Sequence, residues 1–242
     1  MRCSVRCSDR ATAGETEIDP RGGGRSNVST EKKRSGRLRI FFFPVDIVRE
    51  FCYIAGQEDG AMSKQILILT GSPRPNGNSF LLAEAFTKGA EEAGHTVRRF
   101  DTAHVEIDGC RACNQCYQHG KACVFDDDFN LLAPHLEEAD VLVLATPLYW
   151  FSFPAQLKAA LDKLYSLLVG KRPLKIRECV LLVTAETEDR EDFSGIVRSY
   201  ELIADYLQWN DRGKILVPNV NLPGDIKGSP ALKEAEELGK SL

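Results

Sequence analysis

From Lys64 onward, apolar and polar positions settle into two alternating rhythms. QILILT (65–70) is a short apolar run stopped by Gly71 and Pro73, as expected of a strand covered on both faces. SFLLAEAFTKGAEEAG (79–94) changes the period. Leu82, Ala85, Phe86 and Ala90 fall on one helical face, with Asn78 or Ser79 expected as N-cap and Gly94 as stop. The alternation recurs as TVRRFD and FNLLAPHLEEA, then DVLVLAT and PAQLKAALDKLYSLL, then ECVLLVT and a helix over 193–207. A short strand near 214–217 and a helix over 230–238 end the chain. Strands alternating with helices predict an α/β fold, a doubly wound parallel sheet with helices on both faces.

The first 61 residues break this pattern. They are Arg-rich, contain a GGG run at 22–24, show no sustained period and hold one isolated apolar patch, IFFFPVDIV (40–48). They are expected to form a poorly ordered, dispensable extension, upstream sequence that need not be made in the cell, with the folded domain at 62–242. A transit peptide and a membrane-surface patch around Phe41 to Phe43 are the competing readings, the first weakened by Asp9, Glu15, Glu17 and Asp19.

Composition narrows the function. With 242 residues, 43% hydrophobic, 27% charged and a net charge of -4, the chain suits one globular domain with a small-molecule partner rather than nucleic acid. No apolar run reaches the roughly 18 residues of a membrane span. The N-terminus lacks a secretory layout, so the expected location is the cytoplasm.

GSPRPNGNS (71–79) joins the first strand to the first helix, where free backbone N-H groups and the helix dipole favour an anion. Hydroxyls at Ser72 and Ser79, amides at Asn76 and Asn78, the Arg74 guanidinium and the compact Gly77 fit a phosphate monoester. The segment matches neither the triphosphatase loop G-x-x-x-x-G-K-[ST] nor the dinucleotide loop G-x-G-x-x-G. Residues of these types also make ordinary turns, so the whole nonapeptide carries the reading.

Together with PLYWFSFPAQLK (147–158) and CVxxDD (123–128), this segment resembles the NADPH-dependent FMN reductase-like group of flavodoxin-like proteins. The resemblance runs from about residue 65 to 238. It implies a five-stranded parallel sheet in the order 2-1-3-4-5, whose first and third strands are neighbours at the switch point. The loop at 147–153 then lies beside the phosphate loop. Flavin-ring contact is carried by the resemblance onto Pro147, Leu148, Tyr149 and Trp150, and more weakly onto Thr184, Ala185 and Glu186. Phe151 and Phe153 are expected in packing instead. Lys158 and Asp162 read as an exposed helix pair, and the Asp126 to Asp128 run as an acidic first helical turn.

Eight cysteines are unevenly placed, with Cys110, Cys113, Cys116 and Cys123 inside fourteen residues. Two consecutive x2 gaps let three thiolates converge on one cluster, whereas a zinc site more often draws two separated pairs. The spacing resembles the motif of the iron-sulfur flavoproteins, a branch of the same family with FMN and a [4Fe-4S] cluster. Packed thiols and a redox-active pair remain open alternatives. His104, His119 and His135 have no triad-like companions.

The expected function is an FMN-dependent oxidoreductase that passes electrons from NAD(P)H to a flavin, quinone or similar acceptor, with ping-pong kinetics. The alternative is a carrier with FMN and a cluster, exchanging electrons with ferredoxin. A homodimer or higher homo-oligomer is implied by the resemblance.

Overall fold

The computed structural model describes residues 63–242; the expected N-terminal extension lies outside them. Five strands, β1 (Gln65–Thr70), β2 (Thr96–Asp101), β3 (Val141–Pro147), β4 (Glu178–Thr184) and β5 (Asn210–Val217), form one all-parallel sheet in the order β2-β1-β3-β4-β5. The helices between them are α1 (Asn78–Glu92), α2 (Phe129–Glu138), α3 (Ala155–Asp162), α4 (Tyr165–Val169), α5 (Ser194–Leu207) and α6 (Pro230–Lys240).

The period-2 alternation of the strands divides the core in two. Ile66, Ile68, Val141, Val143, Val180 and Leu182 pack under α1 and α6, while Leu67, Leu69, Leu142, Leu144, Leu181 and Val183 pack under α2 to α5. β2 keeps an exposed edge with Arg98 and Arg99, which discourages pairing with another chain. Glycines let α1 and α6 touch backbone to backbone. A Cβ at Gly89 would strike the Glu236 carbonyl, and one at Gly239 the Phe86 carbonyl.

Three local expectations need correction. Gly77, not Asn78 or Ser79, is the N-cap of α1, because the Asn78 side chain is engaged elsewhere. The single helix expected over 154–168 is two, α3 and α4, broken at Lys163 and Leu164. No Gly or Pro marks that break; Lys163 there is paired with Asp127, whose side chain is buried. The three aspartates precede α2 rather than forming its first turn, and each has its own partner.

Candidate functional site

At the C-terminal end of β1 the chain must turn beside β3 with almost no room. A Cβ on Gly71 would lie 2.6 Å from Thr146 Oγ1, and the Gly71 N-H donates to the Ala145 carbonyl at 3.1 Å. Asn76, at φ 54°, takes the left-handed turn that Asn tolerates best after Gly. The first N-H groups of α1 have no intrahelical acceptor and open on the cavity beyond. Ser79 is buried at its edge.

Asn78 does something its sequence position did not announce. Its Nδ2 donates to the Leu222 carbonyl at 3.0 Å, and its Oδ1 accepts from Gly224 and Ile226 N-H at 3.1 and 3.2 Å. Arg74 Nη1 donates to the Asn221 carbonyl at 2.7 Å. These bonds bind the segment after β5 to the loop between β1 and α1, and Asp225 stiffens it by accepting from Asn221 and Leu222 N-H.

The resulting crevice, about 210 Å³, has three sides. Ser72, Arg74, Gly77, Asn78 and Ser79 form the first; Pro147, Leu148, Tyr149, Thr184, Ala185 and Glu186 the second. Val220, Asn221 and Pro223 form a third that the sequence reading missed. Its turn-rich NLPGD signalled only a loop.

Two candidates stand outside the lining. Asn76 shapes the turn, and Trp150 is 93% exposed. Trp150 (φ 47°) and Phe151 (φ 61°) are consecutive left-handed residues at the tip of a tight hairpin, closed by reciprocal Tyr149 and Ser152 backbone bonds at 3.1 and 3.0 Å. Such a turn ordinarily takes Asn-Gly, and each L-residue there costs about 1 to 2 kcal/mol. The strain is held from two sides. Leu148 N-H donates to the Thr184 carbonyl at 2.9 Å, and a Cβ on Gly195 would lie 2.5 Å from the Phe151 carbonyl oxygen. Phe153 is core, as expected.

A second cavity is lined by Cys110, Cys113, Cys116 and Cys123 together with Lys163 and Ser166. Burial raises the Cys116 thiol pKa, and the neighbouring Cys113, Cys110 and Cys123 raise it further. Left-handed Ala112, Asn114 and Tyr117 wind the loop. Its ends are tied down: Asp128 and Asp127 accept from Glu106 and Asp108 N-H at 2.8 and 3.0 Å, and Asn130 Oδ1 accepts from Cys123 N-H at 2.8 Å. Tyr117 stacks on Gly170 and donates to Glu137, which also receives Arg172 at 2.7 Å.

Among the described residues, no three His, Cys, Asp or Glu side chains converge closely enough for a single metal ion. A cluster asks less. Each iron takes one thiolate at its own corner, so four sulfurs need only ring a shared cavity. The chemistry of this all-thiol set fits that demand. Neither cavity is lined by His104, His119 or His135, and Lys158 and Asp162 form an exposed ion pair.

A five-stranded parallel sheet of this order, with a crevice across the ends of β1, β3 and β4, defines a flavodoxin-like α/β protein. The chain belongs to the NADPH-dependent FMN reductase family, whose sequence pattern matches residues 65–189. It is 33% identical over 112 residues to an iron-sulfur flavoprotein of Methanocaldococcus jannaschii, covering 46% of this chain and 54% of that one. The chain thus spans about half the length of that relative. An iron-sulfur flavoprotein of Archaeoglobus fulgidus is 29% identical over 181 residues, covering 72% of this chain and 76% of that one. The fold matches an NAD(P)H:quinone oxidoreductase from Methanothermobacter marburgensis with a TM-score of 0.54 at 21% identity, covering 74% of this chain and 97% of that one. No helix among the described residues is long and apolar enough to cross a membrane.

Proposed function

We propose that the chain holds FMN in the three-walled crevice and uses it to pass electrons from NAD(P)H to a small acceptor such as a flavin or quinone. The observation that carries this reading is the meeting, in one crevice, of the open N-terminus of α1 with the Pro147 to Tyr149 loop. The first suits a phosphate dianion and the second a flat ring. Bound there, the flavin supplies hydride acceptance and electron delivery; the protein supplies placement.

In this reading Ser72, Ser79 and the α1 amides hold the phosphate, Arg74 adds positive charge, and Pro147, Leu148, Tyr149 and Thr184 border the ring. Asn76 and Trp150 act through loop shape. Asn78 acts by fastening the third wall, so that its loss would loosen the whole crevice rather than the phosphate alone.

The second reading, a [4Fe-4S] cluster on Cys110, Cys113, Cys116 and Cys123 with ferredoxin as an exchange partner, is favoured by a specific observation. All four thiols line one cavity, which also contains the unpartnered hydroxyl of Ser166. Relatives named iron-sulfur flavoprotein support it. Anaerobic purification with iron, sulfide and flavin analysis separates the readings. Stoichiometric iron lost in Cys113→Ser, with FMN retained, supports the cluster; iron-free protein that oxidises NADPH supports the simple reductase. FMN absent from both, under reconstitution with excess flavin, overturns the first proposal. The exposed Tyr149, Trp150, Phe151 and Leu222 rim suits a homodimer, which sedimentation of Trp150→Ser against the parent protein tests.

A further inference from the structure

At the break between α3 and α4 and in the first turn of α4, two buried polar side chains line the cysteine pocket, and neither is needed to satisfy a partner in the fold. Lys163 is 3% exposed, with its ammonium against Asp127. A buried ion pair seldom stabilises a fold more than apolar residues of the same volume. Asp127 moreover has two backbone donors already, Asp108 N-H at 3.0 Å and Phe129 N-H at 3.2 Å. Those bonds help join the loop to α2 without the lysine. A lysine is not needed to satisfy the carboxylate.

Ser166 stands three residues on. Its Oγ is the one buried side-chain polar atom without a hydrogen-bond partner among the described residues, and the residue is 4% exposed. Buried hydroxyls are nearly always partnered, and an orphan is costly to keep. An orphan that lines a cavity points to a ligand there.

We propose that Lys163 and Ser166 set the electron affinity of the iron-sulfur cluster held by Cys110, Cys113, Cys116 and Cys123, an inference that rests on the cluster reading above. Four thiolates outweigh the positive charge of an iron-sulfide core, so the assembly is an anion, and accepting an electron adds one more negative charge. A buried cation favours the more negative state, and so does an O-H donor to a sulfur. Both therefore raise the reduction potential. Asp127 opposes this, its charge shared among Lys163 and two N-H groups.

The test uses the full chain, purified anaerobically and titrated with dithionite under optical readout. Lys163→Met lowers the equilibrium constant for cluster reduction about tenfold, a midpoint about 59 mV more negative. Asp127→Asn moves it the opposite way, and Lys163→Arg restores the parent value. Ser166→Ala lowers the midpoint by less, while the melting temperature of cluster-free protein stays equal or rises, because only an unpartnered hydroxyl is lost. A merely structural role cannot give shifts of opposite sign. Iron present in every protein with midpoints equal to the parent overturns the inference alone. Absence of iron and sulfide from the parent protein overturns the cluster reading and this inference with it. If Lys163→Met fails to fold, Asp127→Asn and Ser166→Ala decide.

Discussion

The three-walled crevice and the cysteine pocket are built from different kinds of chain. The crevice lies at the ends of buried strands, and its walls inherit the rigidity of the sheet; even its strained hairpin is clamped to β4 and α5 by backbone contacts. The pocket hangs on the long connection from β2 to α2, and its shape depends on side-chain ties: Asp127 and Asp128, Asn130, and Tyr117 with Glu137 and Arg172. A crevice of the first kind is preorganised by the fold. A pocket of the second kind rests on a small number of side-chain hydrogen bonds, and local opening there is expected to cost less than opening of the sheet.

The sharpest way to separate the two is to damage the crevice alone. Ser72→Ala with Ser79→Ala removes two hydroxyl donors to a charged phosphate, each contributing about 1.5 to 3 kcal/mol, so FMN affinity should fall about a hundredfold or more. Riboflavin affinity and iron content should hardly change. Isothermal titration with both flavins checks this, and equal weakening of the two would remove the phosphate from the argument.

Gly195→Ala tests the hairpin. Its methyl would meet the Phe151 carbonyl oxygen at 2.5 Å, which forces a backbone shift worth about 1 to 3 kcal/mol. FMN and riboflavin should weaken together here, with a changed visible flavin spectrum. An unaltered spectrum would mean that the hairpin is not a ring wall.

Glu137 probes the pocket by pH. Burial pushes its carboxyl pKa up, but the bonds from Arg172 and Tyr117 and the Arg172 charge more than offset this and hold it below the ordinary 4.5. A depressed carboxyl stabilises the fold above its ordinary value and loses that contribution as pH falls through the lower, folded value. Iron should therefore be released below about pH 4.5 before flavin is, and Glu137→Gln should weaken that pH dependence. Simultaneous release followed by iron and flavin absorbance would show that the two sites unfold as one.

The smallest effect concerns Cys179, buried near the start of β4 and away from both cavities. Burial pushes its thiol pKa up to about 11, with the Tyr200 hydroxyl 3.1 Å away. Iodoacetamide at neutral pH should modify Cys110 and Cys113 in cluster-free protein and leave Cys179 untouched, as peptide mass spectrometry would show.

The sequence alone determined the strands and most helices, because a buried parallel strand and an amphipathic helix each write their surroundings into a short period. It also marked the loop between β1 and α1 and the four cysteines as cavity walls, since a helix start after a buried strand and a repeated C-x-x-C spacing are local features. The tertiary structure decided what depends on distant partners. Asn78 faces three backbone groups more than 140 residues away, so nothing near it could reveal that it is a clamp. The helix break at Lys163 has no Gly or Pro to announce it, and the partner of Lys163, Asp127, lies 36 residues earlier. Val220, Asn221 and Pro223 became a wall only when Arg74 and Asn78 drew their loop over the crevice. Periodicity records whether a residue is buried; only the folded chain records against what.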